Sequence, residues 1–321
     1  MTTSSISSIL LFLAVVLVTA TEFYAQQAHA FDITVSNRIT RSRPCNNCLN
    51  TCLRLSKDDC NDYCHMSRRS FAASCILSIP TIANIEFANA LTPDQASQSY
   101  DTYAESYDKL DGGSIATSLG IDEARSKLLG MAKGNVLEIG VGTGLNLASY
   151  QFGDNGVTSL TLVDISDGML SQAEARIKQM NVDNNIPIQF VRADATSELV
   201  KLFGEDKFDS VVDTFSLCVM GNEGAKKCLD EMAGVVKKSG KILLVENTRS
   251  SNPLLGSYQD LTASSAADLG GKGCVYNQNV GEMINRSNGL RLEKEESFAA
   301  GLFRSFICTK SLRLSNQIHT T

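Results

Sequence analysis

Between residues 91 and 312, short apolar runs alternate with stretches of helical periodicity. Val136–Ile139 is apolar except for Glu138, and it stops at Gly140-Val141-Gly142-Thr143-Gly144. Such a run predicts a buried parallel strand that ends in a glycine-rich turn and enters a helix. Further strands are predicted over Ser159–Ile165, Ile186–Val191, Phe208–Phe215 and Lys241–Glu246, and two last ones over Leu290–Phe298 and Gly301–Thr309. Helices are predicted between them. Thr92-Pro93-Asp94 is a helix start with proline in the first turn, Ile115–Met131 is amphipathic, and Ser166 and Thr196 open two more. Tyr100, Tyr103 and Tyr107 share one face of the first helix, as core packing or as a wall over a ligand. Strands alternating with helices in this way predict βαβ units, a parallel sheet and an α/β fold.

The first 90 residues carry a different pattern. Ile9–Ala20 is an apolar run too short to cross a membrane comfortably, and Ala28-His29-Ala30 follows as a small-x-small cleavage pattern. Residues 1–30 therefore read as a secretory signal peptide. Residues 31–66 begin with a basic, acid-poor stretch (Arg38, Arg41, Arg43) of transit-peptide character and continue into a cysteine-rich segment. Cys48/Cys52 and Cys60/Cys64 are each spaced by one helical turn, which suits a disulfide-stapled helical hairpin, a metal site with His65, or a spacer removed on maturation. In residues 67–90, Arg68-Arg69 precede a mildly apolar stretch ending at Ala88-Asn89-Ala90. This is similar to a twin-arginine signal, or to a membrane-contacting segment, since Pro80 and Glu86 oppose a spanning helix. A signal peptide followed by a basic stretch resembles the bipartite presequence of algae with secondary plastids. The expected destination is the plastid, thylakoid-associated or lumenal, with secretion or the endomembrane system as the alternative. Residues 91–312 form the main domain and 313–321 a tail.

Composition narrows the chemistry. A net charge of −6 offers nucleic acid no electrostatic footprint. The three histidines, His29, His65 and His319, all lie outside the main domain, which must work without imidazole and is expected to hold no metal. Glu138, at the end of its strand, would repel a pyrophosphate, and the glycines run G-x-G-x-G with Leu145 where a dinucleotide fingerprint has its last glycine. The stretch suits a ligand with an ammonium group and no phosphate, and S-adenosylmethionine has that chemistry. A nicotinamide-dependent reductase, or a glycine turn without a ligand, is the competing reading. Asp164 ends the second strand about twenty residues on, where a carboxylate can hold two ribose hydroxyls. Met169 is placed near an adenine or in the core, and Asp194 reads either as a ligand contact or as the cap of the helix from Thr196.

Glu138, Gly140, Gly142 and Gly144 spell E-x-G-x-G-x-G, which resembles the first motif of class I S-adenosylmethionine-dependent methyltransferases. Asp164-Ile165 and Asp194-Ala195 are similar to that family's ribose and adenine positions. The sequence from Tyr100 to Asp108, Y-D-x-Y-A-x-x-Y-D, resembles the lid helix of ubiquinone- and menaquinone-type methyltransferases, where tyrosines such as Tyr107 close over the cofactor. Val212–Cys218 (VDTFSLC) and Glu246–Ala263 are similar to a subgroup of type 11 methyltransferases with yeast mitochondrial and animal thiol methyltransferase members. Gly273-Cys274, Asn277 and Val280 fit the same subgroup, and Asn247 stands where its members often have histidine.

The resemblance spans Ser99 to Lys310. It implies a Rossmann-like class I fold, with a seven-stranded, mostly parallel sheet whose last strand is antiparallel. It implies S-adenosylmethionine as cofactor and a small-molecule acceptor, a quinol, phenol or thiol, methylated by in-line displacement. A cofactor-binding assembly factor without turnover is the alternative. Asp213, Glu246, Tyr258, Asp260 and Tyr276 are the candidate acid–base groups, with no single catalytic residue named, and Cys218 reads as a substrate contact or a buried thiol.

Overall fold

A computed structural model describes residues 90–108, 117–180, 182, 185–268 and 273–311. The signal, transit-like, cysteine-rich and twin-arginine-like segments lie outside the described residues, except for Ala90. So does the 313–321 tail.

Seven strands form one sheet in the order β3-β2-β1-β4-β5-β7-β6. They are β1 (Gly134–Ile139), β2 (Val157–Asp164), β3 (Ile188–Arg192), β4 (Phe208–Thr214), β5 (Val236–Asn247), β6 (Leu290–Phe298) and β7 (Phe303–Lys310). β1 pairs parallel with β2 and β4, β2 with β3, and β4 with β5, whereas β7 runs antiparallel to both β5 and β6. This is the α/β, Rossmann-like sheet with a reversed last strand that the sequence predicts.

The central strands are apolar on both faces because both faces are covered. On one face Leu137, Ile139, Val211, Ile242 and Leu244 pack against α5 (Leu217–Val235) and α7 (Val280–Arg286) through Ala225, Cys228, Leu229, Met232 and Ile284. On the other face Val136, Leu160, Leu162, Val212, Leu243 and Val245 pack against α2 (Ile121–Leu129) and α3 (Asp167–Gln179) through Leu128, Leu129, Leu170 and Ala173. The short α4 (Leu199–Phe203) follows β3, and α6 (Pro253–Asp268) follows β5. Among the described residues no helix is long and apolar enough to cross a membrane.

α1 (Pro93–Tyr103) starts where its sequence predicts, with a reciprocal cap between Thr92 and Gln95 and Pro93 in the first turn. A cap of this kind contributes about 1 kcal/mol. It ends before Tyr107, because the N–H and hydroxyl of Ser106 both close back onto the Tyr103 carbonyl. α2 is likewise shorter than its amphipathic pattern. It begins at Ile121, after Gly120 adopts a left-handed φ of +76°. The largest departure follows the glycine loop, where a helix is predicted and only a 3₁₀ turn, Leu147–Ser149, forms. Tyr150 then turns extended and carries its hydroxyl back beneath the loop.

Beyond β5 the chain is held by one residue of the Glu246–Ala263 stretch. Gln259 is buried on α6, where it accepts the Ser250 N–H at 2.7 Å and donates to the carbonyls of Thr248 at 2.9 Å and Tyr276 at 3.3 Å. Gln259→Ala strands those three backbone groups and should lower stability by about 2–3 kcal/mol, read as a lower urea midpoint at unchanged m. An unchanged midpoint would show that these bonds do not hold the segment.

Candidate functional site

The strand order reverses at β1, with β2 and β3 to one side and β4 onward to the other. Loops leaving the carboxyl ends of the strands separate there and open a crevice. A cavity of about 310 Å³ occupies this place. Its floor is Ile139, Gly140, Gly142, Val163 and Asp164, with Ile165, Met169 and Ala193–Thr196 on one side. Thr214, Phe215, Ser216, Val219 and Met220 form the other side, and Leu91, Pro93, Ala96, Tyr100 and Tyr107 cover it.

The three glycines of the loop have φ values of +60°, +55° and +83°, a region L-residues rarely adopt. Their reasons differ. A Cβ on Gly142 would come no closer than 4.0 Å to any neighbour, so that position faces open space in the cavity. A Cβ on Gly140 would stand 2.4 Å from the Ser216 Cβ, and one on Gly144 would stand 2.6 Å from Leu147 Cδ1 and 3.3 Å from the Ala173 Cα. Gly142 leaves open space in the cavity, while Gly144 makes room for protein and does not line the cavity.

Asp164 ends β2 facing the cavity. Its Oδ2 accepts the Gly142 N–H at 2.8 Å and its Oδ1 accepts the Ser166 N–H at 3.0 Å, which ties the glycine loop to the start of α3. Burial raises its pKa, and these backbone donors offset part of the rise. Each oxygen keeps a lone pair for a further donor. Asp194 lines the cavity, and its carboxylate accepts from the Thr196 N–H at 2.8 Å and hydroxyl at 2.7 Å. It holds a turn and does not cap a helix from Thr196 as expected, because α4 begins only at Leu199, after Glu198. Of the ten expected binding residues, eight line the cavity: Gly140, Gly142, Asp164, Ile165, Met169, Asp194, Ala195 and Tyr107.

Glu138 is the second exception besides Gly144. Side chains alternate along a strand, so Glu138 points the same way as Val136, toward α2 and Tyr150, while Ile139 reaches the cavity. Glu138 is 1% exposed and accepts from Asn146 Nδ2 at 2.9 Å and from the Tyr150 hydroxyl at 2.7 Å. Asn146 also donates to the Thr214 hydroxyl at 3.0 Å. The carboxyl therefore anchors the segment after the glycine loop from beneath. Burial lifts its pKa to about 7, against the opposing pull of Tyr150, Asn146 and the Arg125 charge.

Two aspartates absent from the expected set fasten the cover. Asp101 on α1 accepts the Ser166 hydroxyl at 2.6 Å and the Gly168 N–H at 2.9 Å, and the Ser166 bond leads the lowering of its pKa. Asp108 accepts the Thr143 hydroxyl at 2.5 Å and pairs with Arg176, whose Nε donates to the Thr143 carbonyl at 2.8 Å. Their signal was the repeated Tyr-Asp pair, Tyr100-Asp101 and Tyr107-Asp108. Phe215 forms part of the opposite wall with a φ of +65°, an uncommon backbone state for a bulky residue, and its ring meets Phe303 edge-on.

None of the candidate acid–base groups lines the cavity. Asp213 is fully buried, with Oδ2 2.6 Å from the Ser216 hydroxyl. Glu246 is fully buried too, and desolvation followed by the neighbouring Asp213 charge pushes its pKa well above the usual carboxyl value. Tyr258 is exposed on α6, Asp260 is engaged with Arg249 at 2.8–3.0 Å, and the Tyr276 hydroxyl bonds to Thr262. Cys218 is buried outside the cavity.

Residues 136–240 match a family described as "Methyltransferase domain". A phosphatidylethanolamine N-methyltransferase of Cereibacter sphaeroides is 33% identical over 122 residues, covering 38% of this chain and 55% of the relative. The ubiquinone/menaquinone biosynthesis C-methyltransferase UbiE of Azotobacter vinelandii is 35% identical over 150 residues, 46% of this chain and 55% of the relative. The mitochondrial methyltransferase OMS1 of Saccharomyces cerevisiae is 26% identical over 188 residues, 55% of this chain and 38% of the relative. The chain thus spans about half the length, or less, of these curated relatives. Among solved structures, the [4+2]-cyclase SpnF is similar in fold at a TM-score of 0.53 and 14% identity, over 70% of this chain and 98% of that one.

The Glu138 environment sets a pH dependence. A carboxyl whose pKa rises from the usual 4.5 to about 7 on folding binds a proton more tightly in the folded state. Its contribution favours the fold below pH 4.5, declines as pH rises to about 7, and is level above that. Glu138→Gln removes this titration, so the fall in melting temperature between pH 5 and 8 should be smaller in the variant than in the unmodified chain. Equal slopes in the two would contradict the buried, protonated carboxyl.

Proposed function

We propose that this chain, whose main domain belongs to the class I S-adenosylmethionine-dependent methyltransferases of the type 11 kind, methylates a small apolar acceptor whose nucleophile ionises without help from the protein. The observation that carries the proposal is the cavity. It pairs an open Gly142 backbone with the Asp164 carboxylate at one end, and its apolar walls include Leu91, Phe215, Val219 and Met220. These residues fit S-adenosylmethionine. Asp164 would accept from the ribose hydroxyls, Asp194 and the backbone at Ala195 would meet the adenine with Met169 and Ile165 beside it, and the Gly140–Gly142 backbone would admit the amino-acid end. When bound, the cofactor supplies a methyl group already activated on a sulfonium. Tyr100 and Tyr107, held by Asp101 and Asp108, would cover the site and exclude water.

What remains for the protein is positioning, the main requirement of an in-line displacement. Asp213, Glu246, Tyr258, Asp260 and Tyr276 lie outside the cavity, and of the titratable groups that line it Asp164 and Asp194 are given to the cofactor and Tyr100 and Tyr107 to the cover, which leaves Lys227; an acceptor that brings its own anion fits this lining best. That favours a thiol over a phenol or quinol, since thiols ionise at lower pH. The names of the relatives include nitrogen and carbon methylation, so they support the reaction class and not a particular acceptor.

Calorimetry tests the cofactor assignment. Hydrogen bonds to a charged group contribute about 1.5–3 kcal/mol. Asp164→Ala should therefore weaken S-adenosylmethionine binding roughly ten- to a hundredfold. Gly142→Val should abolish it in a chain that still melts cooperatively. Heat from NADH with none from S-adenosylmethionine or S-adenosylhomocysteine would overturn the assignment. Isotope-labelled methyl transfer to thiols, phenols and quinols tests the acceptor, and cofactor binding without any transfer would instead favour a non-catalytic assembly factor. The proposed plastid compartment is tested by a fluorescent fusion of residues 1–95, and diffuse cytosolic fluorescence would remove it.

A further inference from the structure

Four cysteines lie in the described part of the main domain, and two of them meet. Cys218, in the first turn of α5, and Cys274, in the segment ahead of α7, are 56 residues apart in sequence, and their sulfurs are 2.7 Å apart. Their backbones are fixed to one another, because the Val275 N–H donates to the Cys218 carbonyl at 2.9 Å. Asn247 Nδ2 faces both sulfurs, at 3.6 Å from Cys218 and 3.7 Å from Cys274. Cys228 and Cys308 are buried in the core with no sulfur partner among the described residues.

We propose that Cys218 and Cys274 are a redox-active dithiol that closes to a disulfide and fastens one wall of the cavity to the segment that packs on its cover. The wall is the start of α5, where Ser216, Val219 and Met220 line the cavity on either side of Cys218. The segment is Gly273-Cys274, which lies outside the lining and packs on the cavity residue Leu91 so closely that a Cβ on Gly273 would stand 2.4 Å from the Leu91 Cγ.

The accessibility of the two thiols sets the order of events. Cys274 is partly exposed and Cys218 is 2% exposed, so an oxidant reaches Cys274 first. The contact with Cys274, then burial, raises the Cys218 pKa well above its usual value, which makes a standing thiolate there costly. The oxidant is a disulfide, small or protein-borne. The Cys274 thiolate attacks one of its sulfurs and releases the other as a thiol, leaving a mixed disulfide on Cys274. Cys218 loses its proton and attacks the Cys274 sulfur, and the second half of the oxidant leaves as a thiol. The chain loses two electrons and two protons, and the oxidant gains both. The product is a neutral disulfide where a thiolate would have faced the buried Asp213 and Glu246 side chains.

The test uses the full chain in buffers of oxidised and reduced glutathione, followed by alkylation, trypsin and mass spectrometry. The peptides Phe208–Lys226 and Gly273–Arg286 should appear joined under oxidising conditions and separate after dithiothreitol. Peptides bearing Cys228 or Cys308 should remain unlinked. A bond closing a loop of this length should raise the melting temperature of the oxidised chain by about 5–10 °C. Cys274→Ser, a change at a partly exposed position, should remove both the link and the shift, with Cys218→Ala as the second variant.

Separate glutathione adducts on the two cysteines, with no joined peptide from a folded chain, would overturn the proposal. So would a joined chain with an unmoved melting temperature, or a stoichiometric metal that protects both thiols from oxidation. Neither readout depends on methyl transfer, so the inference and the proposed activity fail separately.

Discussion

A buried carboxyl group holds the centre of this structure. Glu138 lies inside the sheet, out of water, and its hydrogen-bond partners both come from the segment that follows the glycine loop. Burying an acid without partners would be costly, and Asn146 and Tyr150 offset that cost by donating to both of its oxygens. The same two bonds keep the chain after the loop from continuing as a helix, since Tyr150 must extend to reach the acid. Asn146 also holds Thr214 at the end of β4, so the two strands flanking the crevice are linked through one side chain. The open backbone at Gly142 depends on this support from below.

Above the loop, polar bonds of another kind set the geometry. Asp164 bridges the loop to α3, while Asp101 and Asp108 bridge the α1 cover to α3 and to the loop. These three aspartates sit at element ends, where backbone N–H groups and hydroxyls lack internal partners. Each therefore serves assembly and site at once. The cover is held by charge-assisted bonds near solvent, in contrast to the apolar core that holds the sheet.

The end of the crevice between β4 and β5 combines features that cost stability. Phe215 has a left-handed backbone, Asp213 and Glu246 are buried carboxyls side by side, and two thiols touch next to them. Such strain persists only where the surroundings over-determine it. Here Ser216 braces Asp213, the Phe215 N–H donates to the Val245 carbonyl, and Asn247 faces the sulfurs. Asn247 addresses cysteine sulfur and does not line the cavity.

The sequence by itself determined the sheet and most of the cavity floor. Buried parallel strands are written as contiguous apolar runs, so β1, β2 and β4 were legible to within two positions at each end, whereas β5 begins five residues before its predicted start; the exposed antiparallel edge strand Leu290–Phe298 also has its predicted bounds. Gly142 and Asp164 were legible because their roles depend on backbone freedom and on position at a strand end, both local properties. Tertiary structure alone decided what depends on residues distant in the chain. The direction of Glu138 followed from the alternation of β1 against α2, and it turned an expected ligand contact into an anchor. The five acid–base candidates were chosen as residue types near strand ends, and packing buried or engaged four of them and left Tyr258 facing solvent. The meeting of Cys218 with Cys274 has no local signature, because it arises where α5 and the segment before α7 converge on the same end of the sheet.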